Sequence, residues 1–403
     1  MDEPAQADTP ETPAVVPART KAALWEFVLV CLKIGMISFG APTAHIAMME
    51  NEFVRRRKWI SEEMFLEALS AANIVPGPNA SELCYHMGYL RAGYPGLILG
   101  GLAFITPAYI ATTALAMLYV RYGALPQIGQ MFYVLNPLVL AIVIDTTWQI
   151  GKMSFKGWEQ FVIFGLALGA KALGVNETLI LLLSGLLGVL LIHTLKTNQR
   201  ANAPPLAAFA LPIISLSGLL RQTAAWWNSK LVHIFLYFFK TGSVMFGSAM
   251  VLFALVEKDV ISRFGWVNMQ QLADAIAAGQ ITPGPVTSAS AFIGYLAGGI
   301  PGSILATIGV FLPSFLIVML TAPLLAKLRA SKVAKAFLKG INVGVVALIL
   351  AVVWVLGQNG LVDVWTWLLL AAGLFAMIKL KCQPYILIFA GLALGTIRAL
   401  LIH

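Results

Sequence analysis

A Pro-Gly-Pro tripeptide set inside an apolar run constrains this chain more than any other stretch, because it occurs twice. Asn73-Ile74-Val75-Pro76-Gly77-Pro78-Asn79 returns 207 residues later as Gln280-Ile281-Thr282-Pro283-Gly284-Pro285-Val286. The first proline drives the residue before it out of the helical region and ends a helix there. The glycine frees the backbone. The second proline suits the first turn of a new helix, with Asn79-Ala80-Ser81 or Thr287-Ser288 available to cap it. Each copy therefore predicts two short helices meeting at an unwound tip.

The repetition extends well beyond the tripeptide. At the offset of 207, Lys33 meets Lys240, Gly35 meets Gly242, Phe39-Gly40 meets Phe246-Gly247, Trp59 meets Trp266 and Ser81 meets Ser288. One residue is then lost. At 206, Gly88-Tyr89 meets Gly294-Tyr295, Gly93 meets Gly299, Pro107 meets Pro313, Asn136 meets Asn342 and Trp148 meets Trp354. So many shared Gly, Pro and Trp positions divide the chain into a polar tail (1–22), a first unit (23–194), a linker (195–230) and a second unit (231–403).

Composition sets the solvent. The chain is 59% apolar and 11% charged, against about a quarter charged in soluble domains. Apolar runs near the ~20 residues of a spanning helix recur at 97–120, 131–150, 158–175, 178–194, 303–326, 340–357, 365–380 and 383–402. They are continuous rather than alternating, which excludes a barrel. The expected class is an all-α polytopic membrane protein with the lipid bilayer as its surroundings. A formal charge of +9 fits basic cytoplasmic loops and does not require nucleic acid. Three scattered cysteines and five histidines without ligand spacing imply no disulfide framework, metal or cofactor.

Loop charges bear on how the units are related. Arg55, Arg56, Arg57 and Lys58 crowd 50–61, against Lys258 and Arg263 in the matching loop. Later the bias reverses, with Lys327, Arg329, Lys332, Lys335 and Lys339 against Arg121. By the positive-inside rule, equivalent loops face opposite sides, which favours an inverted repeat.

Within each unit the front part is broken helix. Segment 62–75 has fourteen residues, about 21 Å long and too short for a core of about 30 Å. With 79–92 it forms either a re-entrant hairpin or one span broken in the middle. A second break falls at Ser38-Phe39-Gly40-Ala41-Pro42 and Met245-Phe246-Gly247-Ser248-Ala249. Unwound backbone at membrane depth belongs in protein or beside a cavity, so the breaks predict a central polar site. Helices starting after Pro78 and Pro285 aim their N-termini at it, as anion sites do.

Several side chains are candidates at that site. Lys33 and Lys240 lie in apolar runs, where they serve either the anion or only snorkel to the interface. Asn73 and Gln280 precede the tips and could bond the anion or the broken backbone; Ser81, Thr287 and Ser288 follow them. Glu82 and His86 lie four apart on one helical face and suggest proton coupling or a self-satisfied pair; His45 is a further candidate. Glu67 and Asp274 match across the repeat and read as structural.

Taken together these motifs resemble the chromate ion transporter family. They are Phe39-Gly40-Ala41-Pro42 with His45-Ile46-Ala47, Trp59-Ile60-Ser61-Glu62-Glu63, Asn73 to Asn79, Gly279 to Val286, and Phe292-Ile293-Gly294-Tyr295. The resemblance covers all but the tail and linker. It implies two homologous domains that export chromate across the bacterial inner membrane, with sulfate as a related tetrahedral oxyanion. A homodimer is compatible with it. This chain departs from the family pattern at Ala41 and Ser248-Ala249, where the family usually has glycine, so substrate preference is open to difference. The rival readings are a passive anion channel, a carrier of another small anion, an intramembrane enzyme and a sensor. No Ser/His/Asp order or metal cluster supports the enzyme.

Overall fold

The structure, a computed structural model, describes residues 20–39, 42–72, 75–122, 126–194, 229–246, 250–324 and 332–402. Most of the expected tail and linker lie outside the described residues. So do Gly40, Asn73 and Gly247 among the site candidates, and Ala41 and Ser248-Ala249.

The described residues form helices and no strands. The first half supplies α1 (Lys21–Ile37), α2 (Pro42–Glu50), α3 (Glu62–Ala72), α4 (Asn79–Tyr122), α5 (Pro126–Ser154), α6 (Trp158–Ala172) and α7 (Glu177–Gly188). The second supplies their counterparts in the same order: α8 (Lys230–Val244), α9 (Met250–Lys258), α10 (Met269–Ile281), α11 (Ala289–Thr321), α12 (Lys332–Gly360), α13 (Val364–Ile378) and α14 (Pro384–Ile402). Both α2 and α9 run into a π-helical turn, Asn51–Arg56 and Asp259–Arg263. Local chemistry sets several starts. Asn268 caps α10 in a reciprocal box with Gln271, and Asp363 caps α13 with Thr366.

Five helical stretches among the described residues are long and apolar enough to cross a membrane: Asn79–Tyr122, Met131–Ser154, Val286–Thr321, Lys335–Gln358 and Pro384–Leu401. Trp25, Trp148, Trp158, Trp354, Trp365 and Trp367 stand exposed on the surface, where the amphipathic indole suits a lipid–water boundary. The chain is a multi-pass membrane protein.

Neither α4 nor α11 is a single rod. Ala92 and Gly93 leave helical geometry, Gly93 with φ 67°, and Gly298 and Gly299 do the same, Gly299 with φ 63°. Cys84 Sγ lies 3.8 Å from the Gly100 carbonyl oxygen. Sixteen residues of straight helix would separate them by about 24 Å. The chain therefore folds back, and arm 79–91 lies along arm 94–122. Only glycine fits the contact: a Cβ on Gly88 would sit 2.4 Å from the Gly96 carbonyl oxygen, and one on Gly294 2.5 Å from that of Gly302.

The halves pack reciprocally, and the facing stretches of two equivalent pairs run antiparallel. In α4 against α11, Thr113 bonds Ser303 at 2.8 Å while Tyr85 and Gly101 lie against Phe315. In α5 against α12, Gly151 neighbours Val346 and Gly357 neighbours Leu140, two contacts that the repeat maps onto each other. The outer helices exchange partners: α5 packs on α13 and α14, and α12 on α6 and α7. Small residues permit this closeness, as Gly188 does against Gly340, Gly344 against Ser184, and Gly395 against Met131.

Candidate functional site

Each Pro-Gly-Pro tip is completed by the opposite half. Gly77 pairs with Phe246 through the backbone, and the Gly284 amide donates to the Ser38 carbonyl at 2.7 Å. Ser38 adjoins Phe39, the repeat counterpart of Phe246, so the two junctions are the same contact made twice. Both tip glycines need the freedom glycine has, with φ 146° at Gly77 and 93° at Gly284. The third wall is also exchanged. A Cβ on Gly77 would approach Ser314 Cβ at 2.6 Å, and one on Gly284 would approach Ala108 Cβ at 2.9 Å. Ala108 and Ser314 are repeat equivalents, each following a proline.

At the second tip the chain doubles back, because Gly279 of α10 lies in contact range of Val286 and Ala289. The two arms thus form a hairpin there. Thr282 Oγ1 donates to the Ala278 carbonyl at 2.9 Å, and Thr112 Oγ1 donates to Thr282 at 3.2 Å. Thr112 has then spent its only proton, so Ser288, 3.0 Å away, donates to it. This Ser288–Thr112–Thr282 chain ties the start of the outgoing helix to the end of α10 through α4. Beside it, the His45 ring lies near the Gly284 carbonyl, 2% exposed, with neither ring nitrogen in a well-formed hydrogen bond. The Thr287 hydroxyl, fully buried in the first turn, is also without a partner. Gln280 is buried at the end of α10.

The first tip differs. Glu82 is fully buried with neither carboxylate oxygen hydrogen-bonded, and its Oε1 lies 2.0 Å from where a Cβ on Gly77 would stand. Ser81 Oγ is buried and unpartnered. The Tyr85 ring stacks on Phe315 at 4.0 Å, with its hydroxyl beside Ser314 and Ser81. The expected Glu82–His86 pair does not form, since Glu82 has no hydrogen-bond partner. Helical spacing placed the two on one face, but the carboxyl bends back toward the tip instead.

Lys33 and Lys240 go elsewhere. Lys33 pairs with Glu52 at 3.2 Å with its side chain 49% exposed, and Lys240 is exposed on α8. The buried face of α1 carries Phe27, Val30, Cys31, Ile34 and Gly35, which turns position 33 outward. The structure brings neither lysine to a tip. Phe39 rests against Tyr385 of the other half at 5.5 Å. Pro78 and Pro285 are buried, while Pro76 and Pro283 are partly so.

Three features were not picked out by sequence reasoning. Ala108 and Ser314 form tip walls, Thr112 is the hub of the hydroxyl chain, and Tyr119 donates to buried Asp274 at 2.8 Å. Gln270 also donates to Asp274, at 3.0 Å, and exchanges hydrogen bonds with Asn136. The match of Asp274 with Glu67 was the one available signal for the last. Among the described residues no group of three His, Cys, Asp or Glu side chains is placed to hold a metal ion.

Comparison with known proteins gives a consistent picture. The family model described as chromate transporter matches residues 25–189 and again 232–396. The chain is 32% identical over 374 residues to the probable chromate transport protein of Synechococcus elongatus, covering 90% of this chain and 92% of that one. It is 31% identical over 405 residues to the chromate transport protein of Cupriavidus metallidurans, covering 100% of each. An uncharacterized transporter of Bacillus subtilis is 32% identical over 136 residues, 76% of its own length and 33% of this chain. No solved structure matches.

Proposed function

The chain belongs to the chromate transporter family, and from that premise we propose that it is a secondary transporter exporting chromate, or a similar tetrahedral dianion such as sulfate, from the cell. The observation that carries the reading is the reciprocal completion of the Pro-Gly-Pro tips by the opposite half. A ligand held there touches both halves, and any rocking of one against the other changes which side it faces. The antiparallel register of the two facing pairs of equivalent helices supports an inverted arrangement, as does the reversal of loop charge.

The electrostatics suit a dianion only if several weak donors converge. One helix N-terminus supplies about half a positive charge. Hydroxyl and imidazole donors at charge-assisted strength add about 1.5–3 kcal/mol each. Lys33 and Lys240 take no part in this version of the site. Glu82 is the group at the tips able to exchange a proton during the cycle, because a buried carboxylate charge is tolerated only with a partner or a proton.

The test is transport by cells that express the chain. Loaded cells should lose chromate faster than vector controls, and everted membrane vesicles should take it up. Retention equal to controls in both formats contradicts export.

A further inference from the structure

The two tips are built to one plan yet filled differently. At the first, position 82 is glutamate; its repeat counterpart at the second is Ala289. The Glu82 carboxyl turns back over Gly77, so that Oε1 lies where a tip side chain would begin. It is fully enclosed and bonded to nothing. At the second tip the counterpart side chain is only the Ala289 methyl group, which lies beside Gly279. There the unbonded donors are His45, near the Gly284 carbonyl, and Thr287 in the first turn of the outgoing helix. One tip is thus filled by a carboxyl group of the chain itself, and the other carries unsatisfied donors.

We propose that Glu82 is an internal stand-in for the substrate anion, closing the first tip, and that the second tip, beside His45 and Thr287, holds the single oxyanion the chain binds. This deepens the transporter reading above and rests on it. The chemistry follows from what each tip lacks. The start of a helix favours an anion and leaves its first amides unbonded. The Glu82 carboxyl takes up that place from within the chain. Where alanine replaces it, the preference is left for a ligand. The Ser288–Thr112–Thr282 hydroxyl chain keeps the second turn formed while its donors are unoccupied. The free donors at this tip are the neutral Thr287 hydroxyl and His45 imidazole. They suit a compact oxyanion with several acceptor oxygens, such as sulfate or chromate.

Binding stoichiometry tests this directly. The purified full-length protein in detergent is equilibrated by dialysis with radiolabelled sulfate, and separately with chromate followed by absorbance. The wild-type chain should bind one anion. Glu82→Ala should bind two, because the first tip is vacated. Glu82→Gln, which keeps the volume, should still bind one. Ala289→Glu, which installs the stand-in at the second tip, should reduce binding at least tenfold while the protein stays monodisperse. Two anions on the wild-type chain, one on Glu82→Ala, or unchanged binding by Ala289→Glu would each overturn the inference and leave the transporter reading standing. If Glu82→Ala does not fold, Glu82→Gln and Ala289→Glu carry the test. No binding of either anion to folded wild-type protein would instead remove the transporter reading on which the inference rests.

Discussion

The amide of Gly284 donates to the carbonyl of Ser38 at 2.7 Å, so the unwound tip of the second half is finished by backbone from the first. The mirror contact of Gly77 with Phe246 does the same in reverse. Neither half closes its own break, and this interdependence shapes what substitutions should do.

Gly284→Val and Gly77→Val should be far more damaging than valine at an ordinary loop glycine. Both positions combine positive φ with walls from the other half. Backbone strain alone costs about 1–3 kcal/mol, before any displacement of Ala108 or Ser314. Thermal melts should shift down and transport should fall at least tenfold. Gly265, also at positive φ but with open space around it, provides the control: Gly265→Ala should leave transport intact.

Thr112→Val should weaken the second tip specifically. It leaves Ser288 without its acceptor and Thr282 without its donor. Leaving a buried polar group unsatisfied costs about 1–3 kcal/mol. We expect lower thermal stability and weaker anion binding, both read on purified protein. Thr113→Val, next in sequence but bonded to Ser303, should lower stability with a smaller effect on binding.

Lys33→Ala should retain transport. Its partner Glu52 also receives hydrogen bonds from Arg56 and Arg57, and exposed ion pairs contribute about 0–1 kcal/mol. Transport abolished in a normally inserted Lys33→Ala protein would return the lysine to the substrate path.

Acid should weaken the Glu52 cluster. Burial opposes charge on this carboxyl, but hydrogen bonds from Lys33, Arg56 and Arg57 outweigh it and hold the group below its ordinary value of 4.5. A lowered folded-state value means that the stabilisation is present above the ordinary carboxylate range and is lost as pH falls through the lowered one. Melting temperature should therefore drop across this acidic window, and the part of the drop due to Glu52 should be absent in Glu52→Gln. Identical pH profiles for the two proteins would contradict this.

How much of this was legible in the sequence depends on the range of the interaction. The breaks could be read because proline and glycine act on their own backbone, and the repeat could be read because it preserved them. Which half completes each break was not readable, since Ser38 and Gly284 meet only through tertiary folding. The sharp return at Ala92-Gly93 left one glycine as its signal, and apolar periodicity runs across it. Lys33 was ambiguous because depth and direction both decide its role, and only the packed face of α1 fixes direction. Glu82 was found as a titratable group, but its pairing with His86 was inferred from spacing alone. Spacing fixes a helical face and says nothing about where the end of a flexible side chain goes.

The central claim is a carrier whose anion site lies at the cross-completed tips, and counterflow tests it most directly. Proteoliposomes are preloaded with unlabelled sulfate or chromate, and uptake of labelled sulfate is followed in wild type and Gly284→Val. The account predicts uptake accelerated by internal anion and lost in the variant. Flux that ignores the internal anion, or trans-stimulated uptake unchanged by Gly284→Val in folded protein, would contradict it.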